Sequence, residues 1–174
     1  MRFPFGRQKQ SSENTSEYKV AEVYQGLRNQ VLSLNPAELF PEGGDMPKVW
    51  GVLMEMGYSK AVVTLVALAD STASLYYSTG GGIIGAGQHE GPAKAALALI
   101  DQAAPYVAQC ERVQDYPLPQ RGNVRFYLLT FDGVFSTEAP EDDLGYNRHA
   151  LSPLFYAAQA LIGEMRMMDE QANR

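Results

Sequence analysis

The chain has 174 residues and a formal charge of −6 at neutral pH, with 45% apolar and 20% charged side chains. That length suits one domain whose core buries roughly 68–70% of the unfolded surface, and the balance is that of a globular chain, not a disordered one. A sequence pI near 4.9 speaks against a nucleic-acid binder, which carries a basic face; the single cysteine, Cys110, excludes an internal disulfide framework and a multi-thiolate zinc site.

Residues 1–16 read as a flexible polar tail. They hold Arg2, Arg7 and Lys9 against Glu13, a charge of +2, which leaves −8 for the remainder. Residues 1–7 are basic but precede no apolar run of export-signal length. The most apolar stretch, residues 61–69, falls far short of the roughly 20 residues a membrane span needs. The expectation is a cytoplasmic protein with no membrane insertion.

A first helix is predicted over residues 17–34, where Val20, Val23, Tyr24, Leu27, Val31 and Leu34 recur at helical spacing and Asn35-Pro36 gives the stop. Residues 36–47 form a Pro- and Gly-containing connection with one helical turn. Strands follow at residues 48–56, 60–69 and 72–78, separated by Gly57-Tyr58-Ser59 and Asp70-Ser71. After the glycine run 80–87, Pro92 opens a helix with Ala93, Ala96, Leu97, Ile100, Ala103 and Ala104 on one face, and Pro105 ends or kinks it. Residues 124–131 and 134–137 flank Asp132-Gly133, a hairpin signal for a type I′ turn. The acidic loop 138–143 comes next. A last helix begins near Ser152, with Pro153 at its first position and Leu154, Phe155, Ala158, Leu161, Ile162 and Met165 along one face.

The order α-β-β-β-α-β-β-α, with short turns that force antiparallel neighbours, predicts a single α+β domain over residues 17–170. About five antiparallel strands and three main helices make it up. Over residues 17–166 this succession resembles the roadblock/LC7 branch of profilin-like folds. The resemblance implies a scaffold that pairs with a second copy or another protein.

Three features could carry chemistry. Gly80-Gly81-Gly82-Ile83-Ile84-Gly85 matches G-x-G-x-x-G, but the helix starts late and no second parallel strand with a terminal acid follows, so no dinucleotide cofactor is expected. The run reads either as a turn or sheet edge where backbone meets backbone, or as an anion site formed by Gly80, Gly81, Gly82, Gly85, Gly87 and His89 near a helix N-terminus. Cys110, His89 and His149 stand apart, with no metal-ligand spacing and no nucleophile–base pairing. No catalytic residue and no metal are therefore expected. The acidic stretch Glu138, Glu141, Asp142 and Asp143, with Tyr146 beyond it, is either a solvated loop or a landing surface for a basic partner. Met167 and Met168 widen the apolar arc of the last helix and suit an adaptable protein contact.

Three functions are compatible with these residues. One is a non-enzymatic protein-interaction module, as a homodimer or on a partner. Another is a small acidic immunity protein that neutralises a basic toxin. The third is a sensor-like domain holding a small anion at the glycine run.

Overall fold

The structure, a computed structural model, describes residues 18–41, 44, 45 and 47–174. The tail expected over residues 1–16 lies outside them. In chain order the elements are α1 (Glu22–Leu32), α2 (Pro36–Leu39), β1 (Val49–Gly57), β2 (Val62–Leu68), β3 (Ala73–Tyr77), β4 (Gly82–Ile83), α3 (Glu90–Ala103), β5 (Glu111–Val113), β6 (Asn123–Thr130), β7 (Gly133–Pro140), α4 (Glu141–Gly145) and α5 (Ser152–Ala172). One antiparallel sheet takes the order β4-β3-β2-β1-β6-β7-β5. The α+β class is as predicted, but the described residues form seven strands and five helices, not five and three. The additional strands β4 and β5 are edge pieces of two and three residues, too short to show an alternating pattern. Helices α2 and α4 are single turns; α2 is the turn expected in the 36–47 connection, and α4 replaces part of the expected acidic loop.

Strand β1 is the centre of the sheet, buried along its whole length, with β2 on one side and β6 on the other. A bulge between Val49 and Gly51 shifts the alternation there. Trp50 and Leu53 consequently face one core, while Val52, Met54 and Met56 face the other. On the second face α3 and α5 pack together and close a dry core around Leu65, Phe126, Leu128 and Leu161. Ala96, Ala103 and Ala158 are fully buried in it and keep the backbones close. On the first face α1 and residues 113–118 cover Trp50, Leu53, Tyr76, Tyr127 and Leu129.

Both helix faces differ from the sequence expectation. In α3 the buried residues are Pro92, Ala96, Leu99, Ile100 and Ala103, while Leu97 stands 41% exposed. The run 92-96-99-103 sets the stripe, and Leu97 falls beside it. In α1, Tyr24, Arg28, Val31 and Leu32 turn inward, and Val23 is left 60% exposed. A buried carboxylate rotates that helix, as described below. Helix α3 also starts two residues before Pro92 and ends in a 3₁₀ turn through Pro105.

The hairpin between β6 and β7 closes on the pair Thr130–Gly133, which leaves Phe131 and Asp132 at its tip. The predicted type I′ turn is not formed, because positive φ falls on Gly133 and not on Asp132. The Thr130 hydroxyl holds the turn instead. It accepts the Asp132 N–H and donates to the Gly133 carbonyl, at 3.1 and 2.8 Å.

Candidate functional site

The acidic segment is not one loop. Glu138 belongs to β7, opposite Arg125 of β6. Its carboxylate accepts from the Gln120 N–H at 2.9 Å, from Asn123 Nδ2 at 2.8 Å and from the Arg125 guanidinium. That carboxylate ties the 117–122 connection to the sheet and stands apart from the other acids. Glu141, Asp142 and Asp143 make the first turn of α4. Asp143 is engaged as well, with Arg148 Nη2 at 3.1 Å. The same guanidinium lies 5.1 Å from the centroid of the Tyr146 ring, an arrangement that favours cation–π attraction. Tyr146 is 72% exposed, and the turn below it is pinned by the Tyr156 hydroxyl, which donates to the Gly145 carbonyl at 2.8 Å. The carboxylates left outward are Asp142, which is exposed, and Glu141, which is partly buried. Burial, and then the charge of Asp142, pushes the Glu141 carboxyl above its ordinary pKa.

The two methionines divide. Met168 packs against the dry core, whereas Met167 is exposed. Glu141 and Arg166 both act electrostatically on Tyr58, so the start of α4 and the C-terminal half of α5 flank the same end of β1. The structure thus brings Glu141, Asp142, Asp143 and Tyr146 together, sets Met167 on the helix bordering them, and separates Glu138.

The glycine run is accounted for by backbone packing. Gly80, Gly81, Gly82 and Gly85 have positive φ. A β-carbon on Gly82 would collide with the Leu75 carbonyl, and one on Gly87 with the Ser71 carbonyl. These glycines let β4 and the following turn lie flat against β3 and the β2–β3 connection. His89 is exposed at the head of α3 and its side chain caps nothing. The positive end of α3 already faces carboxylates: Glu90 occupies its first turn, and a β-carbon on Gly91 would collide with the carboxylate of Glu164. The shallow depression beside the run, about 180 Å³, is lined by Asp70, Ser71, Thr72 and Gln88 among others, with no cation among its described lining residues.

Sequence reasoning missed a buried polar network on the α1 face. Glu55, wholly inaccessible, accepts Arg28 Nε at 2.6 Å and Nη2 at 3.0 Å. Arg28, 7% exposed, also donates to the Tyr116 carbonyl at 2.9 Å. The Thr64 hydroxyl gives its only proton to Glu55 at 3.2 Å, so the 2.8 Å bond with Tyr24 must be donated by the phenol. The Tyr127 hydroxyl donates to the Pro117 carbonyl, and its ring meets Tyr116 edge-on with centroids 5.7 Å apart. Burial alone would depress the Arg28 pKa, but the Glu55 hydrogen bonds and charge outweigh it and hold Arg28 protonated. Burial, reinforced by Glu55, raises both the Tyr24 and Tyr127 phenols well above the ordinary range. The sequence signal was the lone acid in an apolar strand, with an arginine one turn beyond Tyr24. Above the network an open depression of about 340 Å³ is lined by Val20, Gln25, Asn29 and Leu118. Arg28, which also lines it, is already engaged by the Glu55 carboxylate beneath.

Groups suited to catalysis are scattered. The Cys110 thiol donates to the Tyr106 carbonyl at 3.3 Å, and burial pushes its pKa up to about 11, the wrong direction for a thiolate nucleophile. His149 Nδ1 accepts the Leu151 N–H at 3.1 Å. Among the described residues no three His, Cys, Asp or Glu side chains cluster to hold a metal. No described helix is long and apolar enough to cross a membrane. Comparison of the chain with models of known protein families, with curated proteins and with solved structures finds no match.

Proposed function

We propose that the chain is a non-enzymatic, cytoplasmic protein-interaction module that presents the outer surface of α4 to a partner. The observation that carries this reading is Tyr146, an aromatic side chain 72% exposed and yet held by Arg148 and the Asp143 pair beneath it. An exposed aromatic that is already ordered loses little entropy on binding, and such residues dominate interface energetics. Asp142 beside it adds charge that steers encounter with a basic surface. The resemblance of the predicted element order to roadblock/LC7 domains supports an interaction role, as an analogy of fold only.

The immunity-protein reading finds less free acid than the sequence offered, because Glu138 and Asp143 are already paired with arginines. The anion-sensor reading meets carboxylates where it needs unmet positive potential.

Affinity capture from a native lysate with mass spectrometry tests the proposal. The wild type retains one dominant protein, and Tyr146→Ala and Asp142→Lys each lose it. A wild type that retains nothing above the resin control overturns the reading, as do variants that retain the same protein undiminished.

A further inference from the structure

A second surface lies at the opposite end of β1 from Tyr58. There α2, the residues leading into β1, the end of β2 and the outer side of α3 enclose an open groove of about 480 Å³. Phe40, Ala69, Leu97 and Ile100 are its apolar lining. Leu97 is the large side chain that the buried stripe of α3 leaves out, 41% exposed, one turn from Asp101. Asp45 and Asp101 supply the charge, and no cation is among the described residues that line the groove. Neither carboxylate makes an ion pair among the described residues. This differs from α4, where Asp143 is neutralised by its neighbour. An apolar lining between two acids that are unpaired among the described residues, on a body of charge −8, is complementary to one chemistry: large apolar side chains flanked by lysine or arginine.

We infer that this groove docks a basic, apolar-anchored peptide segment of a partner protein, with a leucine- or phenylalanine-sized side chain beside Leu97 and flanking cations on Asp45 and Asp101. The inference extends the interaction-module reading to a second contact and names the chemistry of what it accepts.

The protein supplies its own reporter. Its single tryptophan, Trp50, is buried in the cluster against which Phe40 and Ala69 pack, and its carbonyl accepts the Ala69 N–H at 2.9 Å. The full chain is titrated with a tryptophan-free twelve-residue peptide carrying leucines at i, i+3 and i+7 with arginines between, while Trp50 emission is followed. The expected result is a saturable change. Asp45→Asn and Asp101→Asn each weaken it about two- to fivefold, the upper part of the range that exposed rim ion pairs contribute. Leu97→Ser weakens it about tenfold or more, because a central apolar anchor dominates such an interface, and 0.5 M salt weakens it in wild type but less in the double Asn variant. Leu97 is exposed, so thermal unfolding of that variant should match wild type and separate lost docking from lost fold. No saturable change up to about 1 mM peptide overturns the inference, as does an equal response to the same peptide with glutamates in place of arginines. If the chain's own residues 1–9, which carry Arg2, Phe3, Phe5 and Arg7, saturate the groove as a free peptide and their deletion is needed before the test peptide binds, the groove belongs to this chain and the partner reading falls. Tyr146→Ala leaves the titration unchanged in every case, so failure here is distinguishable from failure of the α4 surface.

Discussion

The two faces of the sheet are held by different physics. Against α3 and α5 the core is mainly apolar: Leu65, Leu99, Phe126, Leu154 and Leu161 are inaccessible, and small residues at the helix contacts let the layers close around them. Against α1 and residues 113–118 the core is built around ions and phenols. Arg28, Glu55, Thr64, Tyr24 and Tyr127 form one connected set. The dry face draws its stability from buried area, about 25 cal/mol per Å², and tolerates any filling of similar volume. The polar face gains little net energy from its ion pair, because removing two charges from water cancels most of their attraction. Removal of one partner there is nevertheless severe. One face is robust and unspecific; the other fixes where α1 and the 113–118 segment must sit.

The largest expected effect comes from breaking the pair. Glu55→Gln leaves the Arg28 guanidinium buried without a counter-charge and should cost about 3–5 kcal/mol in urea denaturation. The double substitution Arg28→Met with Glu55→Leu should recover most of that loss; a double variant no more stable than the single one would show that the ion pair itself supplies the energy. Leu161→Ala on the dry face should cost about 2–5 kcal/mol from transfer and cavity terms, and no second-site charge change should rescue it. Tyr127→Phe removes the donor to the Pro117 carbonyl and should cost about 1–3 kcal/mol, with increased hydrogen exchange in residues 114–119.

A pH scan separates the faces more finely. Tyr24 and Tyr127 keep their protons when folded but release them near the ordinary value of about 10 when unfolded. Stability is therefore full below that pH and falls as pH rises beyond it. Absorbance titration should show these phenols ionising only with unfolding, and Tyr24→Phe should flatten the alkaline decline. The smallest effect concerns Glu141. Its carboxyl is raised by burial and by Asp142, so its ionised form opposes folding above the ordinary carboxylate range and the penalty vanishes as pH falls. Glu141→Gln should raise the Tm at pH 7 and leave it unchanged at pH 3.

The dry face was legible in the sequence because period alone specifies it. In α5 the stripe Leu154, Phe155, Ala158, Leu161, Ile162 and Met165 is buried as its spacing required; four of the five longer strands lie within two residues of their predicted limits, and β7 runs three residues past its own, into the segment read as an acidic loop. The polar face was not legible. Val23 fits the apolar stripe of α1 better than Arg28 does, yet the helix turns Arg28 inward because Glu55 waits 27 residues away. No local pattern encodes that distance. The neighbours of the acids were hidden too: Glu138 finds Arg125 through strand register, and Asp143 finds Arg148, five residues on, through a turn that the charge pattern alone did not announce. Charge read along the chain therefore overstated the free acid on the surface. The glycine run was legible as a backbone device, since Gly82 and Gly87 face carbonyls that no side chain could approach.

The connectivity of the polar face sets an order of events as the chain is made. Arg28 and Glu55 emerge early, but the Tyr116 carbonyl that completes Arg28 comes 88 residues after it, and β6, the second neighbour of β1, lies later still. A nascent chain holding only β1, β2 and β3 carries a central strand with one open edge, and an unpaired apolar edge is a template for joining other chains. The ribosome must deliver residues 116–130 before the first half of the protein can close. A pause in translation before that point exposes the protein to aggregation, whereas a pause after Thr130 does so far less.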